Sequence, residues 1–240
     1  MVSAGDALAY LEAATGELVT GIGGLSDGDV RGPSLLPGWS RAHVLTHLAR
    51  NAEGGVRLLG WARTGVPSYE YESLDARAAA IEAGAGRPTA TLIDDVHETA
   101  AAFSAAAARM PRPGWDHLVR WTTGQETPAS LIVPSRWGEV LIHHVDLNIG
   151  FRPADWPAVF TAELLPRIVA GLNGRGGAMQ AVRLAATDTG EVFAIGEIGP
   201  ATPVAAGPAY ELLAWLLGRS DGGGLAREAS VPLPAVPAIY

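Results

Sequence analysis

The chain has 240 residues, room for one large domain or for a helical bundle with a smaller domain appended. Apolar residues make up 48% of it, yet no uncharged apolar run approaches the roughly 18 residues needed to cross a bilayer. The net charge is -8 without a basic cluster, which argues against nucleic acid and anionic membranes as partners, and the lack of cysteine excludes disulfides and thiolate metal sites.

The opening segment carries Asp6 and Glu12 and has no basic leader, so it reads as a helix of a cytoplasmic protein and not as a signal peptide. Leu8, Leu11, Ala14 and Leu18 have helical spacing, predicting a first helix over residues 3 to 20 that the glycines at 21, 23 and 24 close. Turn chemistry at Arg31 to Trp39 precedes Ser40, a cap for a second long helix reaching Gly60 or Thr64. A loop with Tyr69 and Tyr71 follows, then a short helix over 74 to 83 and a third long helix between Pro88 and Pro111.

Residues 111 to 130 read as an extended crossover holding Trp115 and Trp121, and Pro134-Ser135 starts a fourth long helix that reaches Gly150. Four long helices with one long crossover predict a four-helix bundle over residues 1 to 152. Beyond Pro153 a helix broken at Pro166 leads to a glycine-rich loop. A hairpin follows, with Val182, Leu184 and Ala186 facing Val192, Ala194 and Gly196 across a turn at Asp188-Thr189-Gly190, and then a helix over Pro208 to Leu217. Residues 153 to 240 are thus expected to form a small α+β domain, and the fold class is mainly α.

Chemistry concentrates on the fourth helix. At about 100° per residue, Arg136, Glu139, His143 and Asp146 fall within roughly 80° of one another. The rest of that helix is apolar, so the polar stripe faces inward. A buried carboxylate beside imidazoles is costly unless a hydrogen bond, a counter-charge or a metal compensates it. On the second helix His47 lies nearer the apolar face than His43, which is expected at the rim. Glu139 and His143, one turn apart, together with His47 form a His/His/carboxylate set that suits zinc and leaves a coordination position open, as catalytic sites do. An ordinary hydrogen-bonded pair of Glu139 and His143 is the alternative reading. Asp146 is either a partner of an imidazole or a solvated helix-end acid. His97, His117 and His144 read as surface or loop histidines. Trp39 and Trp137 could wall a pocket or fill the core, and Tyr69 and Tyr71 are candidates to line its entrance.

The segments LPGWSRAHVLTHLARNAEG (36 to 54) and SRWGEVLIHHVDLNIGF (135 to 151), with the tail LLGRSDG (216 to 222), resemble the mycothiol-dependent maleylpyruvate isomerase family. That resemblance implies a DinB-like four-helix bundle followed by a small α+β C-terminal domain, with the divalent metal on His47, Glu139 and His143. It implies a small-molecule substrate and mycothiol as thiol cosubstrate: a metal-activated thiolate adds to the double bond of maleylpyruvate, rotation follows, and expulsion gives fumarylpyruvate. It also places Arg219 in the active site as a clamp for substrate carboxylate or the enolate, although Gly-Arg-Ser-Asp-Gly here is one residue shorter than the family's motif. Two alternatives share the residues: a mycothiol S-transferase acting on another electrophile, and a metal-free protein that binds an apolar ligand.

Overall fold

The structure is a computed structural model that describes residues 4–177, 179–227 and 232–237. The chain divides into two compact units, Met1–Gly150 and Phe151–Tyr240. The fold is mainly helical, with a small sheet in the C-terminal unit. Among the described residues no helix is long and apolar enough to cross a membrane.

The first unit is built on four long helices, α1 (Ala4–Ile22), α3 (Arg41–Thr64), α5 (Thr89–Ala108) and α6 (Ile132–Asp146), each packed on two of the others. Each contributes an apolar stripe: Leu11, Leu18 and Ile22 from α1, Leu45, Leu48 and Leu59 from α3, Leu92, Val96 and Phe103 from α5, and Val140, Leu141 and Ile142 from α6 are buried. Gly55 lets α3 and α5 approach closely, since a Cβ there would stand 2.4 Å from Cε2 of Phe103.

Between the long helices lie α2 (Asp27–Arg31) and α4 (Leu74–Ala85). The sequence reading missed α2, although Ser26 and Asp29 form a capping box around its start. The crossover from α5 to α6 contains a hairpin of β1 (Leu118–Arg120) and β2 (Glu126–Pro128).

Gly21 does not stop α1, which runs to Ile22; residue 3, its expected start, lies outside the described residues. The glycine serves close packing instead, because a Cβ there would sit 3.2 Å from Nε2 of His144. His144 is accordingly buried between α1 and α6, a correction to its reading as a surface histidine.

In the second unit α7 (Ala158–Gly174) and α8 (Ala209–Leu216) pack on each other. Strand β3 (Val182–Ala186) lies between antiparallel β4 (Val192–Ile195) and parallel β5 (Val204–Gly207). The hairpin stands as expected, while the third strand was missed because Val-Ala-Ala-Gly is too short and small to show alternation. Pro166 does not break its helix, and α7 is continuous across it. Proline costs that helix one hydrogen bond, but buried Phe160, Leu165, Val169 and Leu172 hold both halves on one apolar face.

Candidate metal centre

His47 is carried by α3 in the middle of a buried run, while Glu139 and His143 stand one turn apart on α6. Packing of α3 on α6 brings the three heads together. Nε2 of His47 lies 2.9 Å from Oε2 of Glu139 and 3.0 Å from Nε2 of His143, and the third edge, His143 to Glu139, is 3.4 Å. Among the described residues these three form the group whose ligand atoms all lie within 4.8 Å of one another and could hold one metal ion.

Their surroundings fix the rings. Oδ2 of Asp146 accepts from Nδ1 of His143 at 2.8 Å, which leaves the Nε2 lone pair directed at the cluster. Asp146 is wholly buried, so it is the partner of an imidazole and not a solvated helix-end acid. Nη2 of Arg77 donates to Nδ1 of His47 at 3.0 Å. A guanidinium only donates, so in this arrangement the neutral His47 ring carries its hydrogen on Nε2, and Glu139 accepts it. The ring of Trp39 stands 5.8 Å from that of His47 and 6.2 Å from that of His43, forming one wall. Trp137 is buried and instead stacks at 5.2 Å on Tyr10 of α1, which is itself exposed.

The electrostatics follow from this network. Burial, with the neighbouring His143, pushes His47 down to about 4. Burial also opposes charge on His143, but the hydrogen bonds to Asp146 and Glu139 outweigh it and raise its pKa. For Glu139 burial favours the neutral acid, yet hydrogen bonds from His143 and His47 hold its carboxyl well below the usual range. The cluster therefore presents one neutral imidazole, one imidazole that retains its proton more readily than usual, and one carboxylate.

Arg136, on the same stripe, is 3% exposed and braces the pair of helices: Nη1 donates to the carbonyl of Leu48 and to Oδ1 of Asn51, both at 2.8 Å. Burial pushes its pKa down to about 10. His43 sits at the rim as expected, with Nδ1 accepting from the backbone nitrogen of Ser40 and Nε2 3.2 Å from Glu82. His97 is exposed, as is His117, whose Nδ1 donates to the carbonyl of Ala62.

Arg219 lies in the C-terminal unit. Gly218, at φ 73°, and the bonds from Gly218 N to Trp215 O and from Arg219 N to Ala214 O close α8 as a left-handed helix end. The guanidinium donates to the carbonyl of Leu217 at 2.6 Å. The sequence reading did not identify Arg77 or Asn51. Asn51 follows His47 by one helical turn, a signal that could have found it, whereas Arg77 belongs to a separate helix and carries no such mark.

A helical bundle with two histidines and a glutamate converging at its core defines a protein able to hold a single metal ion between facing helices. Residues 11–148 match the mycothiol maleylpyruvate isomerase N-terminal domain. A crystal structure of the mycothiol-dependent maleylpyruvate isomerase is similar over 98% of this chain and 100% of the other, with a TM-score of 0.89 and 25% identity. A histidine-to-alanine mutant of the mycothiol-dependent maleylpyruvate isomerase matches over the same shares, with the same TM-score and 24% identity. No curated protein sequence matches the chain. The chain belongs to the mycothiol maleylpyruvate isomerase family.

Proposed function

We propose that the protein is a metal- and mycothiol-dependent cis–trans isomerase that converts maleylpyruvate to fumarylpyruvate, with His47, Glu139 and His143 as the metal ligands. The observation that carries this reading is the convergence of those three ligand atoms in a chain alike over its whole length to an enzyme of that activity. Ligands about 2.0–2.1 Å from a tetrahedral ion lie about 3.3 Å apart, and the edges of 2.9, 3.0 and 3.4 Å are close to that spacing. Two imidazoles and a carboxylate suit zinc better than magnesium or calcium, which prefer oxygen alone.

A divalent ion with an open position supplies Lewis acidity that lowers the pKa of a thiol beside it. The chain has no cysteine, which agrees with a thiol brought by a cosubstrate. Asp146 keeps the His143 lone pair aimed at the cluster, and Arg136 holds α3 against α6 so that the ligands keep their spacing. To ligate, His47 must carry its hydrogen on Nδ1, which ends the donation from Arg77. Arg219 would clamp a substrate carboxylate and hold the enolate charge. Meanwhile the thiolate sulfur adds to the double bond, rotation occurs about the resulting single bond, and the sulfur leaves with its electron pair.

The test is turnover of maleylpyruvate by the metal-loaded protein with and without mycothiol. Thiol-independent isomerisation at the full rate would refute the mechanism, and stoichiometric consumption of thiol into a stable adduct would identify an S-transferase instead.

A further inference from the structure

Glu139 meets both histidines through one oxygen. Its Oε2 lies 2.9 Å from Nε2 of His47 and 3.4 Å from Nε2 of His143, and among the described residues Oε1 has no hydrogen-bond partner. Once His47 ligates through Nε2 with its hydrogen on Nδ1, it no longer donates to Glu139. A carboxylate that holds a metal is ordinarily steadied by hydrogen bonds from the protein around it, so Glu139 then needs a donor.

Two donors near it are in surplus. The hydroxyl of Tyr71 is closed off from water and has no hydrogen-bond partner among the described residues, whereas Tyr69 stands exposed. Nη2 of Arg136 is buried and unpartnered in the same way. A buried polar atom left unpaired is costly, so each of these calls for an acceptor.

Both belong to the surroundings of the triad. Arg136 precedes Glu139 by about one turn on α6, and its Nη1 is tied to Leu48 and Asn51, which follow His47 on α3 by one residue and by one turn. Tyr71 lies against Arg77, whose Cζ stands 5.8 Å from the centre of its ring and whose Nη2 reaches His47. The phenol and the Arg136 guanidinium lie in each other's field and in that of Glu139.

A hydroxyl hydrogen needs an acceptor, and Arg77 and Arg136 have only hydrogens to give. Of the two carboxylates whose charge acts on Tyr71, Glu70 already accepts from Thr122 at 3.1 Å, while Glu139 has Oε1 to spare. Burial, with the negative charge of Glu70, pushes the phenol up to about 12, so it keeps its proton.

Resting on Glu139 as a metal ligand, we infer that Tyr71 is a positioning residue whose hydroxyl donates to Oε1 of Glu139 when Oε2 takes the ion. That bond fixes the angle of the carboxylate at the centre. Because water does not reach the hydroxyl, an acceptor within the protein suits it better than a dissolved ligand.

The test compares the full chain with its Tyr71→Phe variant, which removes one oxygen and keeps the ring. Competition with a chromophoric chelator measures zinc affinity, and thermal melting is followed without metal. Affinity is expected to fall by roughly 10- to 100-fold, the range for loss of a partner behind a ligand. The metal-free melting temperature is expected to stay the same or rise, because the hydroxyl makes no bond in that state. Equal zinc affinity in the two proteins overturns the inference. So does a loss of affinity that comes with a lower metal-free melting temperature, since that is the mark of a packing role. A wild type that takes up no zinc defeats the ligand reading itself, and the inference with it.

Discussion

Oδ2 of Asp146 takes the Nδ1 hydrogen of His143 at 2.8 Å, from a position where water does not reach the carboxylate. The pair sits three residues apart on α6, so the helix itself sets the tautomer of a proposed ligand. Asp146→Ala should lower metal affinity by roughly 10- to 100-fold, the range for loss of such a partner. Competition against a chromophoric chelator measures it, and an unchanged affinity would remove Asp146 from the site.

Alanine at His47 or at Glu139 should take the purified protein from about one metal ion per chain to none and abolish turnover. Elemental analysis reads the first effect directly. Full stoichiometry in both variants would sink the ligand assignment.

Metal affinity should fall with pH, because an imidazole must be deprotonated to ligate. The raised pKa of His143 places its competing proton above the ordinary 6.5 of histidine, so affinity is expected to start falling already above pH 6.5 as the pH is lowered. His47, at about 4, adds competition only in stronger acid. Titrations between pH 5 and 8 check this, and a flat profile counts against histidine ligation.

Arg77 opposes the ligating form of His47 by donating to the nitrogen that must then carry hydrogen. Arg77→Leu should therefore tighten metal binding, by about tenfold if a typical hydrogen bond to a charged group is lost from the metal-free state alone. Calorimetry of metal binding would show it. A weakened affinity would mean that Arg77 supports the bound state instead.

For Arg219, the alanine variant should keep its metal and melting temperature while turnover drops by roughly 10² or more. Lysine should rescue little, since it lacks the planar fork that pairs with a carboxylate. As a mere partner of the Leu217 carbonyl at a helix end, Arg219 would contribute only about 0.3 to 1 kcal/mol, and lysine would replace it. Retention of more than about half the wild-type turnover in the alanine variant would end the clamp assignment.

The four long helices were legible because their apolar positions recur at helical spacing over four or more turns, and the same arithmetic placed Glu139, His143 and Asp146 on one stripe. Elements decided by tertiary packing were not. Gly21 looked like a stop but is a contact with His144, and Pro166 looked like a break but is carried by the apolar face on both sides of it. Strand β5 exists because the edge of β3 is there to pair with it. At the site, α3 and α6 declared their own residues, whereas Arg77 arrives from α4, whose placement beside His47 no periodicity encodes.

His47 and Glu139 are 92 residues apart in sequence, and their contact forms only once α3 and α6 have docked. A cation held between them binds the folded chain and not the unfolded one, so its binding energy becomes conformational stability in proportion to the logarithm of its free concentration. Newly made chains that miss the ion would open more often and meet proteases sooner. Metal supply would then govern the lifetime of this protein in the cell as well as its activity.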